Sequence, residues 1–208
     1  MACDVPLAQN RGSSDFDVRH SLEAALTYEI PRVHAGVITP IFRNWSVEAI
    51  FVARTATPVD VTVIRSLGID LVAARPDLVP GAPLYIRDST VAGGRRINPL
   101  AFVVPGEERQ GTLGRNALRA FPLSQLDFSL SRTFYVTEAT TLQLRADSFN
   151  VLNHPNFAAP SGSLGTDALF GVSTAMSNMS FIGVTNGLIP LFRSGGPRSF
   201  QLSLKFGF

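Results

Sequence analysis

Leu126-Asp-Phe-Ser-Leu-Ser-Arg-Thr-Phe134 and Leu142-Gln-Leu-Arg-Ala-Asp147 are the two runs that decide how this chain folds. In the first, Leu126, Phe128, Leu130 and Phe134 fall on one side and Asp127, Ser129, Ser131 and Thr133 on the other, with Arg132 the exception in the apolar row. In the second, Leu142, Leu144 and Ala146 face away from Gln143, Arg145 and Asp147. A period of two is the signature of a strand with one apolar and one polar face. The link from Val136 to Thr140 is short enough to join the two as an antiparallel hairpin. Past the second run the alternation changes phase at Phe149 and Val151, as a bulge would do, and Asn153, His154 and Pro155 end the strand.

The same period recurs outward in both directions. Toward the C-terminus, Phe200, Leu202, Leu204, Phe206 and Phe208 alternate with Ser199, Gln201, Ser203, Lys205 and Gly207. Toward the N-terminus, Phe16 to Ile30 reads as one long strand whose polar row holds Asp17, Arg19, Ser21, Glu23, Thr27 and Glu29. Trp45 to Arg54 reads as a second strand, and Val59, Val61 and Val63 after Pro58 as a shorter third. Between these runs the pattern dissolves. Arg65 to Phe121 is punctuated by Pro76, Pro80, Gly81, Pro83, Gly93, Gly94, Pro99, Pro105 and Gly106 and reads as a long structureless loop. Asn156 to Pro197 reads as a second loop, with one irregular strand near Phe170 to Ala175. Long strands joined alternately by a very short link and by very long loops match the turn asymmetry of an outer-membrane barrel. A soluble sandwich has the same alternation but not that asymmetry.

The composition of the 208 residues narrows the classes further. Charged residues make up 16%, Gly and Pro number 17 and 14, and Phe reaches 15, so the chain is turn-rich, Phe-rich and poor in charge. A net charge of +2 provides no field that would select nucleic acid, and no nucleic-acid partner is expected. The one cysteine, Cys3, forms neither an internal disulfide nor a thiolate cluster. Met1 to Gly12 carries Asp4 and lacks the apolar run of a secretory signal. No run reaches the roughly 18 apolar residues of a helical span, so any passage through a membrane belongs to strands, which satisfy their backbone groups in lipid only in a closed barrel.

No enzyme is expected. His20, His34 and His154 stand on different segments without metal-ligand spacing. Ser161-Gly-Ser-Leu-Gly165 lacks the Gly two residues before Ser163 that a nucleophile elbow requires. Glu107-Glu108 sits on a Pro-Gly loop with no apolar wall to perturb it. Gly93-Gly-Arg-Arg96 has the form of an anion nest, yet an Arg-bearing external loop is the better account of it, and it yields no ligand. Asn44-Trp-Ser46 and Asn178-Met-Ser180 match glycosylation acceptors, a short pattern from which nothing is drawn. Neither a cofactor nor a metal is expected.

Three segments carry a resemblance to a known family. Gly111-Thr-Leu-Gly-Arg-Asn-Ala-Leu-Arg119, Leu144-Arg-Ala-Asp-Ser-Phe-Asn-Val-Leu-Asn-His-Pro-Asn-Phe157 and Gly196-Pro-Arg-Ser-Phe-Gln-Leu-Ser-Leu-Lys-Phe-Gly-Phe208 resemble the C-terminal barrel portion of TonB-dependent receptors of the Oar-like type. Asp17-Val-Arg-His20 with Glu29-Ile-Pro31, and Asn44-Trp-Ser-Val-Glu-Ala49 with Pro58, look like the same family's preceding strands. The motif residues are Arg115, Asn116, Asn150, Asn153, His154, Pro155 and Phe157. Asp147-Ser148 and Thr57-Pro58 depart from the usual pattern.

The resemblance implies an all-β, antiparallel transmembrane barrel segment, a partial and open curved sheet with long loops, that occupies residues 1–208 as the last third or less of a barrel of about 22 strands. It implies a plug and signal peptide outside this sequence, location in the outer membrane of a Gram-negative bacterium, and uptake of an unknown substrate, with the TonB complex acting through that plug. The alternatives are a small self-closed barrel of about eight strands, acting as an adhesin or porin-like protein, and a soluble sandwich that binds a ligand. If the chain is barrel wall, Leu126, Phe128, Leu130, Leu142, Leu144, Phe200, Leu202 and Leu204 meet outer-membrane lipid, while Asp127, Ser129, Gln143, Arg145, Gln201 and Lys205 meet the lumen. Phe200, Leu202, Leu204, Phe206 and Phe208 also resemble the terminal signal read by the barrel-assembly machinery, which implies that machinery as a partner.

Overall fold

The computed structural model describes residues 10–31, 43–67, 70–106, 109–165, 167–179 and 194–208. Cys3, His34, Glu107, Glu108 and Ser180 lie outside these. In chain order the strands are β1 (Ser21–Glu29), β2 (Trp45–Arg54), β3 (Pro58–Val59), β4 (Thr62–Leu67), β5 (Asp70–Ala74), β6 (Asp77–Leu78) and β7 (Tyr85–Arg87). They continue as β8 (Arg95–Ile97), β9 (Phe102–Val103), β10 (Leu118–Arg119), β11 (Leu123–Tyr135), β12 (Thr141–Phe149), β13 (Ser163–Leu164) and β14 (Ser199–Gly207). The only helices among the described residues are short 3-10 turns, and none is long and apolar enough to cross a membrane.

Five long strands form one antiparallel sheet in the order β1-β2-β11-β12-β14. The 126–147 hairpin folds as read, with Phe134 opposite Leu142 and Ser129 opposite Asp147. The bulge is also present. Ser148 pairs with Phe128, so Leu126 should meet residue 150, yet it is the Val151 amide that donates to the Leu126 carbonyl at 2.8 Å. The extra residue, Asn150, takes φ +49°, a left-handed conformation that Asn tolerates better than most residues. The first strand starts later than its alternation suggests, at Ser21 rather than Phe16. Residues upstream of it leave the sheet to pair with a loop.

Register aligns the side chains of all five strands into two faces. One holds Leu26, Ala49, Phe128, Ser148 and Phe200 in a lateral row, then Tyr28, Val47, Leu130, Ala146 and Leu202, then Trp45, Arg132, Leu144 and Leu204. The other holds Thr27, Glu48, Ser129, Asp147 and Gln201, with Ser46, Ser131, Arg145 and Ser203 beside them. The apolar side chains lie open: Leu202 is 83% exposed, Leu204 54% and Leu144 47%. No second sheet packs on this row among the described residues, as a sandwich would require. The sheet is not closed. Among the described residues, β1 has β2 as its only neighbour and β14 has only β12.

The stretch expected to be structureless is folded. β3 to β10 and β13 form four small sheets, and β4 pairs in parallel with β13 across just over a hundred residues of sequence. They enclose a core of Val59, Val61, Ile97, Ala101, Phe102, Leu113, Leu118, Ala120 and Phe170, with the Phe102 and Phe170 rings edge to face at 6.0 Å. The main apolar core of the chain therefore sits in its loops, while the wall keeps its apolar face outward. Gly171 shows how closely the loops pack: its φ is +76° and an added Cβ would stand 2.5 Å from the Ile97 carbonyl oxygen. The irregular strand expected near Phe170 to Ala175 is a ribbon in which Gly171 donates to Ser161 and Ala158 donates to Ala175.

This folded cap sits at one end of the wall. Ser21, Arg54, Leu123, Phe149 and Ser199 share that end by register, and Glu29, Trp45, Tyr135, Thr141 and Gly207 share the other, where the link of residues 136–140 lies. The cap and the short link of residues 136–140 thus lie at opposite ends of the wall.

Candidate functional site

The polar face of the wall carries a connected set of charges. Arg145, on β12, reaches across β11 to Glu48 on β2. Its Nη1 and Nη2 donate to the two Glu48 carboxylate oxygens at 3.0 and 2.8 Å. Its Nε donates to Asp147 at 2.7 Å, and Ser129 between them donates to Asp147 at 2.5 Å while accepting from Arg145 at 3.0 Å. A planar guanidinium suits this double forked geometry, and a lysine would not reproduce it. Toward the cap, Asp127 accepts from Gln125 at 2.7 Å and from the Asn150 amide at 2.8 Å. Two open clefts border this network. One of about 240 Å3 is lined by Ile50, Asp127, Arg145 and Phe149, and one of about 560 Å3 near the short-turn end by Thr27, Glu29, Ser46, Thr133 and Gln143. Fixed charges and amide groups on the wall of such clefts are able to hold polar solutes by directed hydrogen bonds. Arg145 and Ser129 are among the residues expected on the lumen side, but their union with Asp147 and Glu48 is not foreseen. The hairpin length fixes Ser129 opposite Asp147, and that register is the signal from which it could have been read.

The motif residues form two anchors between cap and wall. Asn116, buried and at φ +54°, donates to the Ser13 carbonyl at 2.8 Å and to Asp15 at 2.6 Å, while its amide donates to Asp60 at 3.1 Å. Arg115 stands 3.4 Å from Asp15, and Arg119 donates to Asp17 at 2.6 Å. These contacts hold the segment before β1 against the cap. The Asn116 amide group is the largest cause that keeps the Asp15 carboxyl below the ordinary aspartate range, helped by the Arg115 charge, and Arg119 does the same for Asp17.

The second anchor ends β12. Asn150 is almost wholly buried: its Nδ2 donates to the His154 carbonyl at 2.9 Å and the Gly196 carbonyl at 2.8 Å, and its Oδ1 accepts from the His154 amide at 3.0 Å. Asn153, also left-handed at φ +51°, closes this turn through its amide to the Asn150 carbonyl at 2.7 Å, and Pro155 follows. Asn156 accepts from the Ser124 amide at 2.8 Å, and the Phe157 ring meets Phe121 edge-on at 5.4 Å. Phe121 also lies 4.8 Å below Arg95, a neighbour in the cap. Asn150, Asn156 and Phe157 thereby tie this segment to β14, β11 and the cap. His154 has a single ring contact, at 3.3 Å to Asn156, and no group of His, Cys, Asp or Glu among the described residues is arranged to hold a metal.

The terminal row lies on the exposed edge strand. Phe200, Leu202, Leu204 and Phe206 project from β14 on the apolar side, and Phe208 follows fully exposed.

A sheet apolar on one face and polar on the other, with folded loops at one end, is the wall of a transmembrane barrel. Residues 4–183 match the model of the family described as the outer membrane beta barrel domain, and the chain belongs to that family. It is therefore a protein of the Gram-negative outer membrane. No curated protein and no solved structure matches the chain.

Proposed function

We propose that this chain is a wall segment of a TonB-dependent outer-membrane receptor of the Oar-like type, without enzymatic activity, supplying five strands of a larger barrel and a preformed external cap that contributes to substrate capture. The observation that carries this reading is the pair of open edges. β1 and β14 stand at opposite ends of a five-stranded antiparallel sheet and so run in the same direction. They cannot close on each other as an antiparallel pair, and copies of the sheet inserted in one orientation would meet along parallel seams. An odd number of further antiparallel strands completes the wall, which fits the even strand totals of bacterial barrels. The motif segments around Asn116 and Asn150 support the receptor type. In that setting the charged face of Glu48, Arg145 and Asp147 meets the plug, and TonB acts on the plug rather than on this wall.

The test is the identity of the polypeptide in isolated outer membranes. An antibody against the cap should detect a chain several times longer than 208 residues, retained on the immobilised periplasmic domain of TonB. A heat-modifiable band of the size of this sequence, not retained by TonB, overturns the proposal in favour of a small self-closed barrel.

A further inference from the structure

Residues 10–20, which precede β1, lie on the cap without burying a side chain in it. None of them belongs to the apolar core, and the Phe16 ring is 82% exposed. Hydrogen bonds and ion pairs hold this strap instead. Asn116 donates to the Ser13 carbonyl at 2.8 Å and to the Asp15 carboxylate at 2.6 Å, and Arg115 stands 3.4 Å from the same carboxylate. Arg119 donates to the Ser13 hydroxyl at 3.0 Å, to the Asp17 carboxylate at 2.6 Å and to the Asp17 carbonyl at 3.2 Å. Arg75 reaches Asn10 at 3.1 Å at one end of the strap, and at the other the Thr55 amide donates to the His20 carbonyl at 3.0 Å. Ion pairs this open to water are individually weak and are screened by salt. A segment held by them, with no apolar burial, opens at low cost while the core beneath stays folded.

The surface under the strap is fixed without it. The Asn116 amide donates to Asp60 at 3.1 Å, and Leu118 is 1% exposed in the core. The Tyr85 hydroxyl accepts from the Arg119 amide at 2.7 Å and donates to the Arg119 carbonyl at 2.8 Å. Arg115, Asn116 and Arg119 therefore present two guanidinium groups and an amide on a preformed support, which lowers the cost of binding. They take two backbone carbonyls, of Ser13 and Asp17, as well as two carboxylates, and so read a peptide rather than a bare anion. Gly12 adds a demand of shape, since a Cβ there would stand 2.3 Å from the Arg115 carbonyl oxygen. We propose that Arg115, Asn116 and Arg119 form a binding site for an acidic peptide of the pattern Gly-x-x-Asp-x-Asp, and that residues 12–17 are its resident, displaceable occupant. An acidic segment of a partner polypeptide binds by taking the place of the strap. The site lies wholly between the strap and the cap, so it does not depend on the receptor reading and holds for a barrel of any size.

The test is fluorescence anisotropy of a dye-labelled peptide, Gly-Ser-Ser-Asp-Phe-Asp, titrated with the intact protein extracted from outer membranes in a mild detergent. In the wild type the peptide competes with the strap. Asp15→Asn with Asp17→Asn loosens the strap and should tighten peptide binding about tenfold, as the removal of an occupant present about nine-tenths of the time implies. Gly12→Ala lifts the strap off Arg115 and keeps both carboxylates; it should tighten binding as well, and serves if the double variant fails to assemble. Adding Arg115→Gln and Arg119→Gln to either loosened chain should abolish binding, and a peptide with Asn in place of both Asp residues should not bind. Equal binding by the wild type and the loosened variants, no binding by any of them, or binding that survives the loss of both arginines would overturn the proposal. So would displacement of the peptide by inorganic phosphate beyond that given by sodium chloride of equal ionic strength, which marks a bare anion site.

Discussion

Replacing Asn150 with Ala should cost more stability than any other single change at the junction of wall and cap. Three hydrogen bonds of its side chain are lost at once, two to His154 and one to Gly196. The Gly196 carbonyl is buried and water does not replace the donor, a loss of about 1–3 kcal/mol. The His154 groups are closer to solvent, and their two bonds contribute ~1 kcal/mol in sum. The backbone adds to this, because alanine lacks the local hydrogen bonding that lets Asn occupy φ +49°, which costs roughly 1 kcal/mol more. The total is about 3–5 kcal/mol. Asn150→Gly separates the contributions, since it removes the backbone cost and keeps the loss of the hydrogen bonds, and should recover about 1 kcal/mol. The assay is urea unfolding of the protein refolded in detergent, followed by the emission of Trp45, the sole tryptophan of the chain. A midpoint for Asn150→Ala corresponding to less than about 1 kcal/mol, or a Gly variant weaker than the Ala variant, would refute the assignment of this residue as the anchor.

Two further outcomes are expected. The cap's ion pair of Asp77 with Arg109, whose oxygen and nitrogen atoms meet at 2.9 and 2.5 Å, holds the Asp77 carboxyl below its ordinary value, chiefly through the Arg109 hydrogen bonds. A depressed folded-state value gives stability that is complete above the unfolded aspartate range and lost as pH falls through the folded value. Resistance of the cap to an acid-stable protease should therefore hold down to about pH 4 and fall only below it, and Asp77→Asn should flatten that transition. Deleting Phe208, or changing it to Asp, should lower the outer-membrane level of the protein while Lys205→Gln leaves it unchanged. Quantitative blotting of membrane fractions decides this, and an unaltered level for the deletion removes the assembly-signal reading.

The wall was legible because each of its strands is long enough for period two to rise above chance, and the hairpin link set the register of its neighbours. The cap was not. Its strands are two to six residues long, and its core takes Val59, Ile97, Leu113 and Phe170 from segments far apart in the chain, so no window contains a pattern. Gly and Pro, which mark turns, are also the residues that let short segments approach one another, as Gly171 does under Ile97. The motif residues stood out in the sequence, but their physical role did not. Asn116 and Asn150 both take left-handed conformations and both donate their side-chain amides to backbone carbonyls of distant segments, so what resembled a family signature is the hardware of two chain reversals. Arg132 broke the apolar alternation openly, and only the placement of Trp45 beside it gave the exception a physical reason.

The claim on which everything rests is that the apolar face of the five strands meets lipid. Spin labels at single cysteines from 199 to 206 on β14, in a Cys3→Ser background and in native outer membranes, test it directly. Collision with lipid-soluble oxygen should peak at 200, 202, 204 and 206, and collision with a water-soluble nickel chelate should peak at 199, 201, 203 and 205. Labels at 200, 202, 204 and 206 shielded from both reagents, as in a core closed by a second sheet, would contradict the account.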